Sequence, residues 1–147
     1  MLTQAEADYL IDLEKQFTGD DLLVFDAGMF RIVRELISLD GREKFQFDAQ
    51  RGSLVLKKFT FQERARVIVP LVRLDVGTTL RHRNPDDTLV TGSHIHVYRE
   101  GYDVKFAVPL VGFPFHFQDP DNVVTTFEDF ARYCHITRLP HIQEQLI

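Results

Sequence analysis

From about residue 30 to 110, outside a polar stretch at 76–92, the chain shifts to short apolar runs with a period of two, and that pattern points the middle of the chain to β-strands. FRIVRELISL (30–39) is closed by the turn signal Asp40-Gly41. EKFQFDA (43–49) alternates around Phe45 and Phe47 before a second turn at Gln50-Arg51-Gly52. SLVLKKFTF (53–61) and RVIVPLVRLD (66–75) are β-branched or aromatic runs of strand length. Pro70 cannot donate a ladder hydrogen bond, so its strand is expected at an edge or bulged. A polar, turn-rich stretch from Val76 to Gly92 follows. Strands return at SHIHVYRE (93–100) and DVKFAVPL (103–110), joined by Gly101-Tyr102. Turns this short imply antiparallel pairing.

The period changes at both ends. Thr3 and Glu6 form a capping-box pattern, and Leu10, Leu13 and Phe17 follow at helical spacing, predicting a helix near 4–17. Residues 20–29 read as a loop around Leu22–Phe25. Thr125 with Glu128 predicts a second helix near 126–135, with Phe127, Phe130, Ala131 and Cys134 on one face. The expectation is an α+β fold: a single domain, residues 1–147, with an antiparallel sheet of five to six strands over about 30–110 and a helix at each end.

Composition narrows the function classes. No apolar run approaches the length of about 20 residues that a membrane span needs, and no secretory signal stands at the start, so no membrane and a cytoplasmic location are expected. The single cysteine, Cys134, excludes an internal disulfide and a thiolate cage. The net charge of −5 argues against a general nucleic-acid coat. The charge is uneven, however. From Arg64 to Lys105 seven Lys/Arg stand against five acids, with three histidines besides. A locally basic stretch on an acidic chain points to a small anionic target more than to a long polyanion. No phosphate-cradling Gly-rich loop and no nucleophile elbow are present.

The most informative segment is Gly92-Ser-His-Ile-His-Val-Tyr-Arg-Glu100. On a strand, His94, His96, Tyr98 and Glu100 share one face and Ile95 and Val97 the other, so the polar row is expected away from the core. Arg73 and Asp75 share a face on the 66–75 strand. If the two strands pair, they join the histidine row, with the 76–92 loop carrying Arg81, His82 and Arg83 above it.

Three readings fit. In the first the face binds a protein partner or a small anionic ligand through Arg73, Asp75, Arg81, Tyr98, Arg99, Glu100, Tyr102 and Lys105, without catalysis and with no cofactor. In the second it is a metal-independent ribonuclease, with RNA as the partner. His82, His94 or His96 would serve as base and acid, and Arg73 with Arg99 or Lys105 would hold phosphate. In the third His94 and His96 ligate a metal with Glu100 or His82 as third ligand, the first choice having the His-x-His-x-x-x-Glu spacing of a cupin motif without that motif's glycines. The first reading is placed foremost because no catalytic motif is complete.

The run Arg73-Leu-Asp75, His82-x-Asn84-Pro-Asp86 and Gly92-x-His94-x-His96-x-Tyr98-x-Glu100-Gly-Tyr102 resembles the signature of a bacterial and prophage family of unknown function. The resemblance runs more loosely from Glu43 to about Leu110. Two positions depart from the pattern: Asp87 stands where the family has glycine, and Phe106 where it has tryptophan. The resemblance implies no established activity, only a mobile-element setting in which nucleases, antitoxins and anti-defence binders are common.

Overall fold

The computed structural model describes residues 1–53, 55 and 57–145. Helix α1 (Gln4–Asp12) starts at the expected capping box: Glu6 N donates to Thr3 Oγ1, and Thr3 N donates to the Glu6 carboxylate, each at 3.1 Å. It stops at Leu13 rather than running to residue 17. Lys15 and Phe17 turn inward about a half-buried Gln16, and that alternation makes strand β1 (Lys15–Phe17). Leu22–Phe25 is not part of a loop: Leu23 and Phe25 are fully buried, and β2 (Leu23–Phe25) pairs in parallel with a strand at the C-terminal end.

The middle of the chain supplies β3 (Phe30–Ser38), β4 (Lys44–Arg51), β5 (Phe59–Ala65), β6 (Val69–Val76), β7 (Arg81–Arg83), β8 (Leu89–Thr91), β9 (His94–Val97) and β10 (Ala107–Pro109). After α2 (Val123–Tyr133) come β11 (Ile136–Thr137) and β12 (Ile142–Glu144). The main sheet has eight strands in the order β10-β9-β6-β5-β4-β3-β1-β11, antiparallel throughout except for the parallel β1–β11 pair. The fold is α+β, as expected. The sheet exceeds five to six strands because β1 and β11, outside the span 30–110, extend its edge.

Strand limits moved where turns intervened. The strand expected at 53–61 begins only at Phe59, and residues 54 and 56 of that expectation lie outside the described residues. Residues 66–68 form the turn into β6, with Arg66 and Val67 in the left-handed region at φ 52° and 70°. Pro70 lies beside a register shift opposite Glu63/Arg64, so β6 is bulged as expected while remaining an inner strand. The strand expected over 103–110 is confined to 107–109. Helix α2 begins three residues earlier than expected because Asn122, not Thr125, caps it, accepting from Thr125 N at 2.9 Å.

Both helices bury their apolar sides in one cluster with the odd-numbered residues of β4, β5 and α1's Leu10. Phe127 of α2 sits 5.3 Å from Phe47 and 6.0 Å from Phe61, ring centre to ring centre, and Phe130 lies 5.7 Å from Phe61. Cys134 is fully buried, and burial pushes its thiol pKa well up, so it is core and not nucleophile. Among the described residues no helix is long and apolar enough to cross a membrane.

A charge lies inside this apolar layer. Lys15 Nζ donates to Leu10 O (2.8 Å), Ile11 O (3.0 Å) and Cys134 O (2.7 Å), the carbonyl ends of both helices, where the helix dipoles favour a cation. It also stands 3.0 Å from Glu63 Oε1 and 4.6 Å from the centre of the Phe45 ring. Three N–H groups are thus spent on three carbonyls, and the Glu63 oxygens are left with the ion-pair contact but no formal hydrogen bond. Burial raises the Glu63 pKa, against the opposing pull of Lys15. Lys15→Met strands three carbonyls and is expected to cost about 3–5 kcal/mol in denaturant unfolding. Glu63→Gln removes no donor from those carbonyls and is expected to cost clearly less; equal losses would contradict this assignment.

Candidate functional site

Strand parity gives the sheet a second face. Phe59, Phe61 and Glu63 of β5, Val72 and Leu74 of β6 and Ile95 of β9 are buried towards the helices. The intervening residues point the other way. Two cross-strand rows result: Arg31–Gln50–Thr60–Asp75–His94, and Asp48–Gln62–Arg73–His96. Asp75 pairs directly with His94 and Arg73 with His96, so β6 and β9 meet as the alternation requires.

The β7–β8 hairpin folds over this end of the face. Asn84 Nδ2 donates to Ala107 O at 2.9 Å and Asn84 Oδ1 accepts from Ala107 N at 2.8 Å, clamping the hairpin to β10. His82 Nε2 meets Lys105 O at 2.8 Å. Under this cover His94, His96 and Asp75 are 4%, 5% and 7% exposed. The His82 ring centre lies 4.7 Å from that of His96 and 5.7 Å from that of His94.

The hydrogen bonds of the two strand histidines fix their tautomers. His94 Nδ1 lies 2.8 Å from Gly92 O and His96 Nδ1 lies 2.7 Å from Val104 O. A carbonyl only accepts, so both Nδ1 atoms carry the proton and donate. In the neutral rings both Nε2 atoms are then bare lone pairs. They converge on Asp75 Oδ2, at 3.4 Å from His94 and 3.3 Å from His96. Among the described residues, Asp75, His94 and His96 are the group whose ligand atoms all lie within 4.8 Å of one another.

Asp75 is itself held in place. Thr60 Oγ1 donates to its Oδ1 at 2.8 Å, and Arg73 Nε lies 3.1 Å from Oδ2. Burial alone would raise its pKa, but the histidines, the Arg73 charge and the Thr60 hydroxyl outweigh it and hold the carboxyl well below the usual carboxylate range. Burial pushes the His94 pKa down, and its contacts with Asp75 and the Gly92 carbonyl more than compensate, raising it overall.

Arg73, Asp75, His82, His94 and His96 are therefore brought together. The other candidates are not. Tyr98 leaves the row: β9 ends at Val97, Tyr98 N bonds Leu71 O, and the ring turns into the core with its hydroxyl donating to Leu2 O at 2.6 Å. Glu100 accepts from Gln4 N at 2.7 Å, occupied with an orphan amide at the start of α1, so it is no part of the histidine cluster. Arg99 stacks on Phe106 at 4.0 Å with Tyr102 edge-on to the same ring at 5.0 Å, a separate exposed cluster. Lys105 contributes its carbonyl, and Arg81 is exposed on β7. Thr60 was missed, although its place between Phe59 and Phe61 puts it on the polar face.

The family of unknown function DUF6978 matches residues 2–136. The chain belongs to it. No curated protein and no solved structure matches this DUF6978 chain.

The Asn84-Pro-Asp-Asp turn that carries the clamp places Asp87 in the left-handed region, at φ 70°, with Asp87 N donating to Asn84 O at 2.9 Å. That backbone favours glycine. Arg83 Nη1 bonds only the Asp87 carbonyl, which glycine keeps. Asp87→Gly is expected to leave stability unchanged or raise it by about 0.5–1 kcal/mol in thermal denaturation. A loss of stability would show that the Asp87 carboxylate itself supports the turn.

Proposed function

We propose that this chain is a metal-binding protein that holds a divalent transition metal through Asp75 Oδ2, His94 Nε2 and His96 Nε2. The observation that carries this reading is the pair of Nδ1–carbonyl hydrogen bonds. They aim both Nε2 atoms at a carboxylate oxygen, an arrangement that needs a cation or a proton between them. Protonating both rings instead would set two buried imidazolium ions and the half-exposed Arg73 against one carboxylate, a costly excess of positive charge. A metal with bonds of about 2.0–2.2 Å separates its ligand atoms by about 3.0–3.6 Å, and the 3.3 and 3.4 Å edges of this triad fall in that range.

Two further features support it. Ligating histidines ordinarily donate their second nitrogen to a carbonyl or carboxylate, and both of these do. Two imidazoles and one carboxylate leave coordination positions for a ligand, the donor pattern of zinc hydrolases and of non-haem iron centres. The third ligand is Asp75, in place of the Glu100 expected from spacing.

Metal-free ribonuclease chemistry is the competing reading, and His82 favours it: with Nε2 donating to Lys105 O, its Nδ1 is left as a base. Protein purified without a histidine tag is expected to carry one metal per chain. Asp75→Asn and His96→Ala are expected to weaken metal binding by about 10–100-fold or more, and Glu100→Gln to leave it unchanged. A folded, metal-free wild type that cleaves RNA in the presence of EDTA would replace this reading with the nuclease.

A further inference from the structure

The outer face of the sheet continues beyond the triad as a trough. A depression of about 310 Å³ has Asp75, Thr60, Arg73 and Lys58 in its wall. A second, of about 240 Å³, is lined by Arg31, Arg64 and Asp48 and shares Gln50, Thr60 and Arg73 with the first. The two adjoin at those shared residues, and together they follow the Arg31–Gln50–Thr60–Asp75 row across four strands to one proposed metal ligand, Asp75.

Its charges are unevenly matched. Arg64 is paired with Asp48 at 2.8 Å and Arg73 with Asp75 at 3.1 Å. Arg31 and Lys58 also line the trough, and neither makes an ion pair among the described residues. Asp75, the triad member in the lining, is neutralised once a metal holds it. The amides of Gln50 and Gln62 add neutral donors to the lining. An excess of cations and neutral donors therefore lies beside Asp75, the one proposed metal ligand in the lining.

Resting on the metal reading above, we infer that this trough binds a small phosphorylated compound, with a phosphate oxygen on the metal, the others towards Arg73 and Lys58, and the rest of the compound running towards Arg31. A tetrahedral oxyanion presents oxygens in several directions at once, which suits donors from a strand and a loop beside the metal. A carboxylate offers two oxygens in one plane and satisfies fewer of them. Single-stranded nucleic acid is disfavoured because both depressions lack an exposed aromatic ring on which bases would stack, and the chain carries a net charge of −5.

The test titrates inorganic phosphate and glycerol 3-phosphate into the zinc-loaded full chain by calorimetry, with metal content measured on every sample. An Arg31→Gln/Lys58→Gln variant leaves all three metal ligands untouched. The expected result is saturable binding of both compounds to the wild type, weakened about tenfold or more in the double variant while its zinc remains stoichiometric. Zinc-loaded protein that binds neither compound, or a double variant that binds them as tightly as wild type, overturns the phosphate site and leaves the metal reading standing. Failure to load zinc overturns both. A short single-stranded RNA that binds more tightly than glycerol 3-phosphate and loses nothing in the double variant assigns the ligand to nucleic acid elsewhere on the surface and overturns this inference.

Discussion

The architecture turns on the ammonium of Lys15. It enters from β1, next to the sheet's edge strand β11, passes beside Phe45 of β4 and ends among the carbonyl termini of both helices and the carboxyl of Glu63 on β5. A lysine with no exposed surface is costly to desolvate, and the cost is offset only when every N–H finds an acceptor. Here the three acceptors come from the ends of both helices, and Glu63 of β5 supplies the countercharge. The position of α1, the end of α2 and the placement of β5 are therefore coupled through a single side chain. An apolar residue at position 15 would fill the space and leave the helix ends without a donor.

The same strand β5 carries that coupling to the polar face. Glu63 and Phe61 point to the helices, while Thr60 and Gln62 point outward between Gln50 and Asp75 or Asp48 and Arg73. Thr60 orients Asp75, the backbone carbonyls of Gly92 and Val104 orient the two imidazoles, and the Asn84 clamp keeps the β7–β8 hairpin over them. Each ligand is thus held by groups that do not touch the proposed metal. That arrangement pre-forms the donor set and explains how a histidine pair can be buried without apolar neighbours on every side.

Much of this was legible in the residues. Two-residue periodicity gave the antiparallel middle of the sheet, and parity alone put His94 and His96 on one face with Arg73 and Asp75 beside them. Parity then misled at Tyr98 and Glu100, because a β-strand period holds only while the strand lasts, and β9 stops at Val97. Past that point the ring of Tyr98 gains more from the core and the Leu2 carbonyl than from a solvated row. The helix expected to reach Phe17 failed for a similar reason: Leu13 and Phe17 satisfy both helical and strand spacing, and the buried Lys15 between them had no sequence signature. Strands β1, β2, β11 and β12 are two or three residues long, too short for any periodicity to register. The left-handed Asp87 was the structural counterpart of a glycine expected from the family pattern.

The central claim concerns a single point in space, the convergence of two Nε2 atoms on one carboxylate oxygen. Crystals of the zinc-loaded chain, with diffraction recorded on both sides of the zinc absorption edge, test it most directly. The expected result is one strong anomalous peak about 2.0–2.2 Å from His94 Nε2, His96 Nε2 and Asp75 Oδ2, with both Nδ1–carbonyl hydrogen bonds intact. A peak on other histidines, or the three side chains in place with no peak between them, would contradict the metal centre.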